Sequence, residues 1–309
     1  MRYRLKKILI APALFILAAL GLYSRQPAPL DPQTFAALYD TPAPAPQGSR
    51  QVYHLGHSLV GRDMPAMLAQ LAGAGHGYAS QLGWGATLRS HWEPDVPVKG
   101  FEAENAHAAY RDPDEALASG TYDALVLTEM VEIADAIRYH DTPTYLHRWA
   151  AKGQEAGMVV YLYETWHQLN DPAGWRVRLD RDRTLYWEDA VLRPALARSD
   201  PLRPIYVIPG GSVMAALSRA LETGGAVGPL AQHGDLFKDD IHFNDYGAYL
   251  MALTHYAVLY QRDPTGLPHT LQRADGTPAD DPGPAAARLM QKIVWQVVSQ
   301  DPMTGVPEG

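Results

Sequence analysis

The chain has 309 residues, 47% of them hydrophobic and 19% charged, with a formal net charge of -8 and no cysteine. That size suits one large globular domain or at most two, and the net acidic charge gives no footprint for nucleic acid, which calls for a clustered Lys and Arg surface. The lack of cysteine excludes a disulfide scaffold, thiolate zinc sites, a cysteine nucleophile and a lipid-modified N-terminal cysteine. Export stays open, because a core of this size needs no covalent staples.

Residues 1–24 read as a targeting segment. Arg2, Arg4, Lys6 and Lys7 make a basic start, and Ile8 to Tyr23 follow without a charge. No small-x-small cleavage site follows, and the run is just short of a transmembrane span, so a cleaved signal peptide and an uncleaved membrane anchor both fit. Either places the remainder outside the cytoplasm, in the periplasm or beyond. Residues 25–49 are rich in Pro and Ala, the composition of a semi-rigid spacer and not of packed core. The folded domain is expected over 50–309.

From there short apolar runs alternate with longer amphipathic stretches. RQVYHLGHS predicts a first strand, and DMPAMLAQLAGAG a helix capped by Asp63 and closed at Gly73 or Gly75. YASQLGWG predicts a second strand and YDALVLTEM a third. DTPTYLHRWAAKGQEAG predicts a helix capped near Asp141, MVVYLYETW a buried strand, RPIYVIPGG another, and SVMAALSRALETGG a helix. NDYGAYLMALTHYAVLYQ predicts a helix opened by Asn244 or Asp245, with Leu250, Leu253, Ala257 and Tyr260 on one face. PAAARLMQKIVWQVV predicts a last helix on the sheet. Apolar strands alternating with helices indicate an α/β fold, a three-layer α/β/α sandwich around a mostly parallel sheet. Functional residues of such sheets gather at the carboxyl ends of the strands. Ser58, Gly85, Glu129, Trp166 and Gly210 all fall at or just past such ends.

Ser58, in YHLGHSLVG, is either a turn residue or a nucleophile. A serine hydroxyl is a poor nucleophile until a base takes its proton, and the base needs a third group to hold its tautomer. Asp239 and His242 in LFKDDIHFNDYG supply that pair directly before a helix start. In a tight loop the carboxylate accepts from one ring nitrogen, leaving the other to reach a serine across the sheet edge. Asp240 is the rival orienter.

A Gly-x-Ser-Leu block after the first strand and an Asp-x-x-His block before a late helix resemble the SGNH, or GDSL-type, hydrolases, whose domain is flavodoxin-like. DDIHFNDYGAYLMALTHYAVLYQRDPTGL and GWGATLRSHW are similar to the branch that includes many carbohydrate esterases. The resemblance implies Ser58 as nucleophile, His242 as general base and acid, and Asp239 as its orienter. The amides of Ser58 and Gly85 would form the oxyanion hole, with Gly83 competing for the second donor. Two departures stand out. His57 occupies the position where the family usually has Asp or Asn, and LTEMVEI puts Glu129 near where Gly-x-Asn offers an amide. A carboxylate donates no hydrogen bond unless protonated.

Other readings compete. His54 and His57, three apart on a strand, point to opposite faces and cannot chelate one ion. No metal or cofactor is expected. Asn244 and Asp245 suit helix capping better than metal binding. Glu129 is either a solvated loop acid or a buried one lining the pocket, together with His57 and Trp166. Glu164 and His167 either shape the pocket or brace a loop. Trp84, Trp92, Trp166 and Trp175 either stack on a sugar or cap the core. The expected activity is hydrolysis of small acyl esters, an O-acetylated sugar among the candidates. The alternatives are a periplasmic glycan O-acyltransferase and a catalytically silent glycan-binding relative.

Overall fold

A computed structural model describes residues 27–307; the targeting segment expected over 1–24 lies outside the described residues. Five strands build one sheet: β1 (Gln51–His57), β2 (Gly77–Gly83), β3 (Ala124–Leu127), β4 (Val159–Glu164) and β5 (Tyr206–Pro209). All pair in parallel, in the order β2-β1-β3-β4-β5. The strands carry little alternation because helices cover both faces. Every residue of β3 and β5 is buried.

The helices that matter here are α1 (Pro32–Ala37), α2 (Asp63–Ala72), α3 (Leu88–Trp92), α4 (Thr142–Glu155), α5 (Gly210–Gly224), α6 (Asp245–Tyr260) and α7 (Gly283–Gln300). Gly153 of α4 lies against Leu125 and Val160. His255 of α6 lies against His54 and Tyr163. Val160 and Tyr163 point to opposite faces of β4, so α4 and α6 cover opposite sides of the sheet. Helices α2 and α7 pack on α6, and α3 packs on α4. The architecture is the expected three-layer α/β/α sandwich.

Three local expectations are corrected. Helix α6 has no single apolar face. All of it but Tyr246 is buried, because α2, α7 and the sheet surround it. Asp63 is the first residue of α2 and not its cap; its carboxylate instead accepts from the Ala274 amide at 2.9 Å. Asp141 precedes α4 in a left-handed conformation and makes no side-chain cap. The expected closure of α2 at Gly73 is present, at φ 79.

The spacer expected over 25–49 is also corrected. Helix α1 is capped by Asp31, whose side chain accepts from the amides of Gln33 and Thr34. Phe35, Tyr39 and Ala43 are buried. The Tyr39 hydroxyl donates to the Ile205 carbonyl at 2.9 Å, and its ring meets Tyr206 of the edge strand β5 edge-on. Composition suggested a spacer, but two aromatic side chains supply enough apolar surface to dock it.

Strand order reverses between β1 and β3, the chain passing first to β2 and then to the other side of β1. Ligand crevices of open α/β sheets form at such a point, beyond the carboxyl ends of the strands. The two strands approach closely there. A Cβ on Gly56 would lie 2.6 Å from Cβ of Thr128, so only glycine fits one residue before His57.

Candidate active site

Ser58 follows the last residue of β1, and the chain turns at once, the Val60 amide donating to the His57 carbonyl at 2.9 Å. The Ser58 Oγ lies 2.9 Å from Nε2 of His242. On the other side of the ring, Nδ1 of His242 lies 2.9 Å from Oδ2 and 3.2 Å from Oδ1 of Asp239. The Asp-x-x-His spacing has a local cause. Oδ1 of Asp239 accepts from the amides of Ile241, at 2.9 Å, and His242, at 2.7 Å. The carboxylate thereby shapes the turn that brings the imidazole back over it.

Burial opposes ionisation of Asp239. The amides of His242 and Ile241 and the neighbouring imidazole outweigh it and hold the pKa down at about 2. Asp240 points elsewhere: its carboxylate accepts from the Asn170 amide at 3.3 Å and its carbonyl from that of Leu169 at 2.8 Å. Of the two aspartates, Asp239 contacts the ring.

Ser58, Gly85 and His242 line one cleft of about 1290 Å³. Gly85 has a left-handed φ of 53 and belongs to the turn between β2 and α3. The rival Gly83 is the last residue of β2, paired with His57, and is not among the residues lining the cleft. Thr87 caps α3 by accepting from the Ser90 amide at 2.9 Å, which fixes the far end of the Gly85 turn.

His57, Glu129 and Trp166, expected around the pocket, lie beneath the cleft and not on its wall. Burial keeps His57 largely neutral, pushing its pKa down to about 4 against the opposing bond to Glu129. Its Nε2 lies 2.8 Å from the Glu129 carbonyl, and its Nδ1 accepts from the Leu59 amide at 3.3 Å. Glu129 is buried, which decides between its two readings. Burial raises its pKa to about 7, against bonds from the amides of Met130, at 2.8 Å, and Leu88, at 3.3 Å. The Trp166 indole donates to the Ile241 carbonyl at 2.8 Å and so braces the loop that carries His242.

Of the tryptophans considered for stacking, Trp84 stands out at 56% exposed. It lines the cleft beside Gly85, with its indole N–H donating to Glu104 at 2.7 Å. Its ring lies on Gly100, where a Cβ would come within 2.3 Å of it. Trp166 and Trp175 are buried core residues.

Glu164 and His167 lie outside the cleft. Glu164 is buried with Ser212 on both its oxygens. His167 sits between Glu132 and Asp182, at 3.1 Å from each. Ligand atoms of Glu132, His167 and Asp182 come within 4.8 Å of one another. The Arg178 guanidinium, however, already contacts Glu132 and Asp182 at 2.8 Å each. A cation is thus in place, and the donor set fits an ion-pair brace better than a metal site.

Asp245, grouped with capping residues, pairs instead with Arg273 at 2.6 Å. Asn244 is the cap of α6, accepting from the amides of Tyr246 and Gly247. Arg62, His107, Lys238 and Arg273 also line the cleft. None was found by sequence reasoning, since each comes from a different loop and none carries a local motif. Among the described residues, no helix is long and apolar enough to cross a membrane. No protein-family model, curated protein or solved structure matches the chain.

Proposed function

We propose that this chain is a serine esterase of the SGNH type, acting on small acyl esters through an acyl-enzyme, with the O-acetyl ester of a carbohydrate as the favoured class. The basic and apolar start of the chain assigns it, on this reading, to the space outside the cytoplasm. One observation carries the proposal: an unbroken chain of contacts from Ser58 Oγ to His242 to Asp239, 2.9 Å at each step, opening on a cleft.

The chemistry follows from that order. Nδ1–H of His242 donates to Asp239, so Nε2 presents its lone pair to the Ser58 hydroxyl. As Oγ attacks the ester carbonyl, its proton passes to Nε2, and Asp239 stabilises the imidazolium. The tetrahedral oxyanion is assigned to the amides of Ser58 and Gly85. Donors of this kind act on charge that develops in the transition state, at about 3 kcal/mol each. The imidazolium then returns its proton to the leaving alcohol. Water, deprotonated by the same nitrogen, releases the acid and restores the Ser58 hydroxyl.

Acyl transfer to a glycan hydroxyl is the second reading, favoured by the size of the cleft. About 1290 Å³ exceeds the volume of ordinary small-molecule sites and leaves room for an acceptor alcohol where water would enter.

The test is p-nitrophenyl acetate hydrolysis by the domain beside Ser58→Ala and His242→Ala, with a fluorophosphonate probe in parallel. Turnover and labelling that both substitutions abolish would support the esterase. Turnover that survives them would reject the triad. A well-folded protein inert to ester and probe alike would favour the glycan-binding relative. Product analysis with and without a sugar acceptor separates transfer from hydrolysis.

A further inference from the structure

His57 directly precedes the proposed nucleophile and is 2% exposed, yet none of the steps above uses its ring. A backbone carbonyl can only accept, so the 2.8 Å contact to Glu129 places the ring proton on Nε2. Nδ1 is then a lone pair, and the Leu59 amide donates to it. With the Val60 amide bound to the His57 carbonyl, both amides that follow Ser58 are held by His57 itself. Leu59 and Val60 are buried, so the nucleophile turn is clamped from below at the two residues that follow Ser58.

The other end of this brace is the loop after β3. There the Glu129 carboxylate accepts from the Leu88 amide at 3.3 Å, and Leu88 opens α3 directly after the Gly85 turn. One residue therefore receives the ring of His57 on its backbone and the Gly85 segment on its side chain. Aspartate at position 57 could not make this link, because a carboxylate has no proton to give a carbonyl.

We propose that His57 is a positioning residue which, through Glu129, fixes the Ser58 turn relative to the Gly85 turn so that their amides address the same oxyanion. This rests on the esterase reading. The two bonds of the ring separate cleanly by substitution. His57→Gln places an N–H donor where Nε2 stands, His57→Asn places an acceptor where Nδ1 stands, and His57→Phe keeps the ring shape with neither.

The experiment is steady-state kinetics of the full chain on p-nitrophenyl acetate, with thermal melts and fluorophosphonate labelling of each variant. Misaligned oxyanion donors lower kcat and leave KM nearly unchanged, since they act on charge that forms in the transition state. His57→Phe is expected to lose about ten- to a hundredfold in kcat with KM within about twofold, and His57→Gln to recover most of it. A folded His57→Phe that keeps its kcat within about twofold overturns the proposal. Should His57→Phe fail to fold, the remaining pair decides: Gln well above Asn supports the bridge to Glu129, and equal values sink it. A wild type that is inert to both ester and probe rejects the esterase reading itself, whereas an active wild type with indifferent variants rejects only the role of His57.

Discussion

Asp239 and Asp240 are neighbours of identical chemistry, and their surroundings separate them. The Asp239 carboxylate accepts from two amides and the imidazole, while the Asp240 carboxylate accepts from the Asn170 amide. Replacing Asp239 by Asn would turn an amide N–H toward Nδ1 of His242. The ring would then favour the tautomer protonated on Nε2, which offers no lone pair to Ser58. Inverting a tautomer in this way costs about 10⁴-fold in kcat. Asp240→Asn keeps an acceptor for Asn170 and is expected to stay within about twofold of wild type. A kinetic comparison of the two variants checks this, and equal losses would reject Asp239 as the orienter. The Asp-x-x-His motif was legible because one short loop contains it. The roles of His57, Glu129 and Trp166 were not, since each is defined by a bond to a distant carbonyl or amide. Sequence indicated that they lie near the strand ends; whether they face the cleft or the core depends on packing across the sheet.

At the scale of elements, the strands were legible from their apolar runs, and the five expected strand-end residues all lie where β1 to β5 stop. Helix α6 was legible in extent but not in environment, because periodicity assumes one wet face and this helix has none. Its start carries more than local weight. Asn244 accepts from the amides of Tyr246 and Gly247 and donates to the Asp235 carbonyl at 2.8 Å. It thus anchors both the helix and the segment leading into the Asp239–His242 loop. Asn244→Ala should cost about 1–2 kcal/mol, the range of a lost side-chain cap, read as a shift of the urea midpoint at unchanged slope. A shift near zero would mean that neighbouring packing alone sets the helix start. Residues 30–43 make the complementary case: Pro and Ala suggested a spacer, but Phe35 and Tyr39 are buried against the domain. Burying such a ring contributes roughly 1.5–3 kcal/mol, so a chain beginning at Arg50 is expected to melt several degrees below one beginning at residue 27. Coincident melts would show that this packing contributes nothing to the domain.

At the scale of the whole molecule, buried titratable groups among the described residues shift in opposing directions. Burial pushes His57, His76, His91 and His255 down to about 4 and His54 well below its ordinary 6.5. Between pH 6.5 and 4 the unfolded chain therefore holds protons at these five rings that the folded chain does not, so stability falls as pH falls through that window. Burial raises Glu129 and Glu164 from 4.5 to about 7, which works the other way. Between pH 7 and 4.5 the folded chain keeps those two protons, and stability rises as pH falls. A shift from 6.5 to about 4, or from 4.5 to about 7, corresponds to about 3 kcal/mol. His57, His76, His91 and His255, with His54 acting in the same direction, therefore outweigh two carboxyls. The excess is large against a typical total stability of about 5–15 kcal/mol. The urea midpoint should therefore drop steadily from pH 6.5 to 4.5 at constant ionic strength. His255→Phe separates the imidazole contribution from general acid sensitivity. Its ring lies among His54, Tyr163 and the Met251 carbonyl, and removing one of the five titrating rings should flatten the slope by about one proton's worth, or about 1.4 kcal/mol per pH unit. A midpoint that holds or rises on acidification would mean that the buried carboxyls govern the balance, and an unchanged slope in His255→Phe would exclude that ring from it.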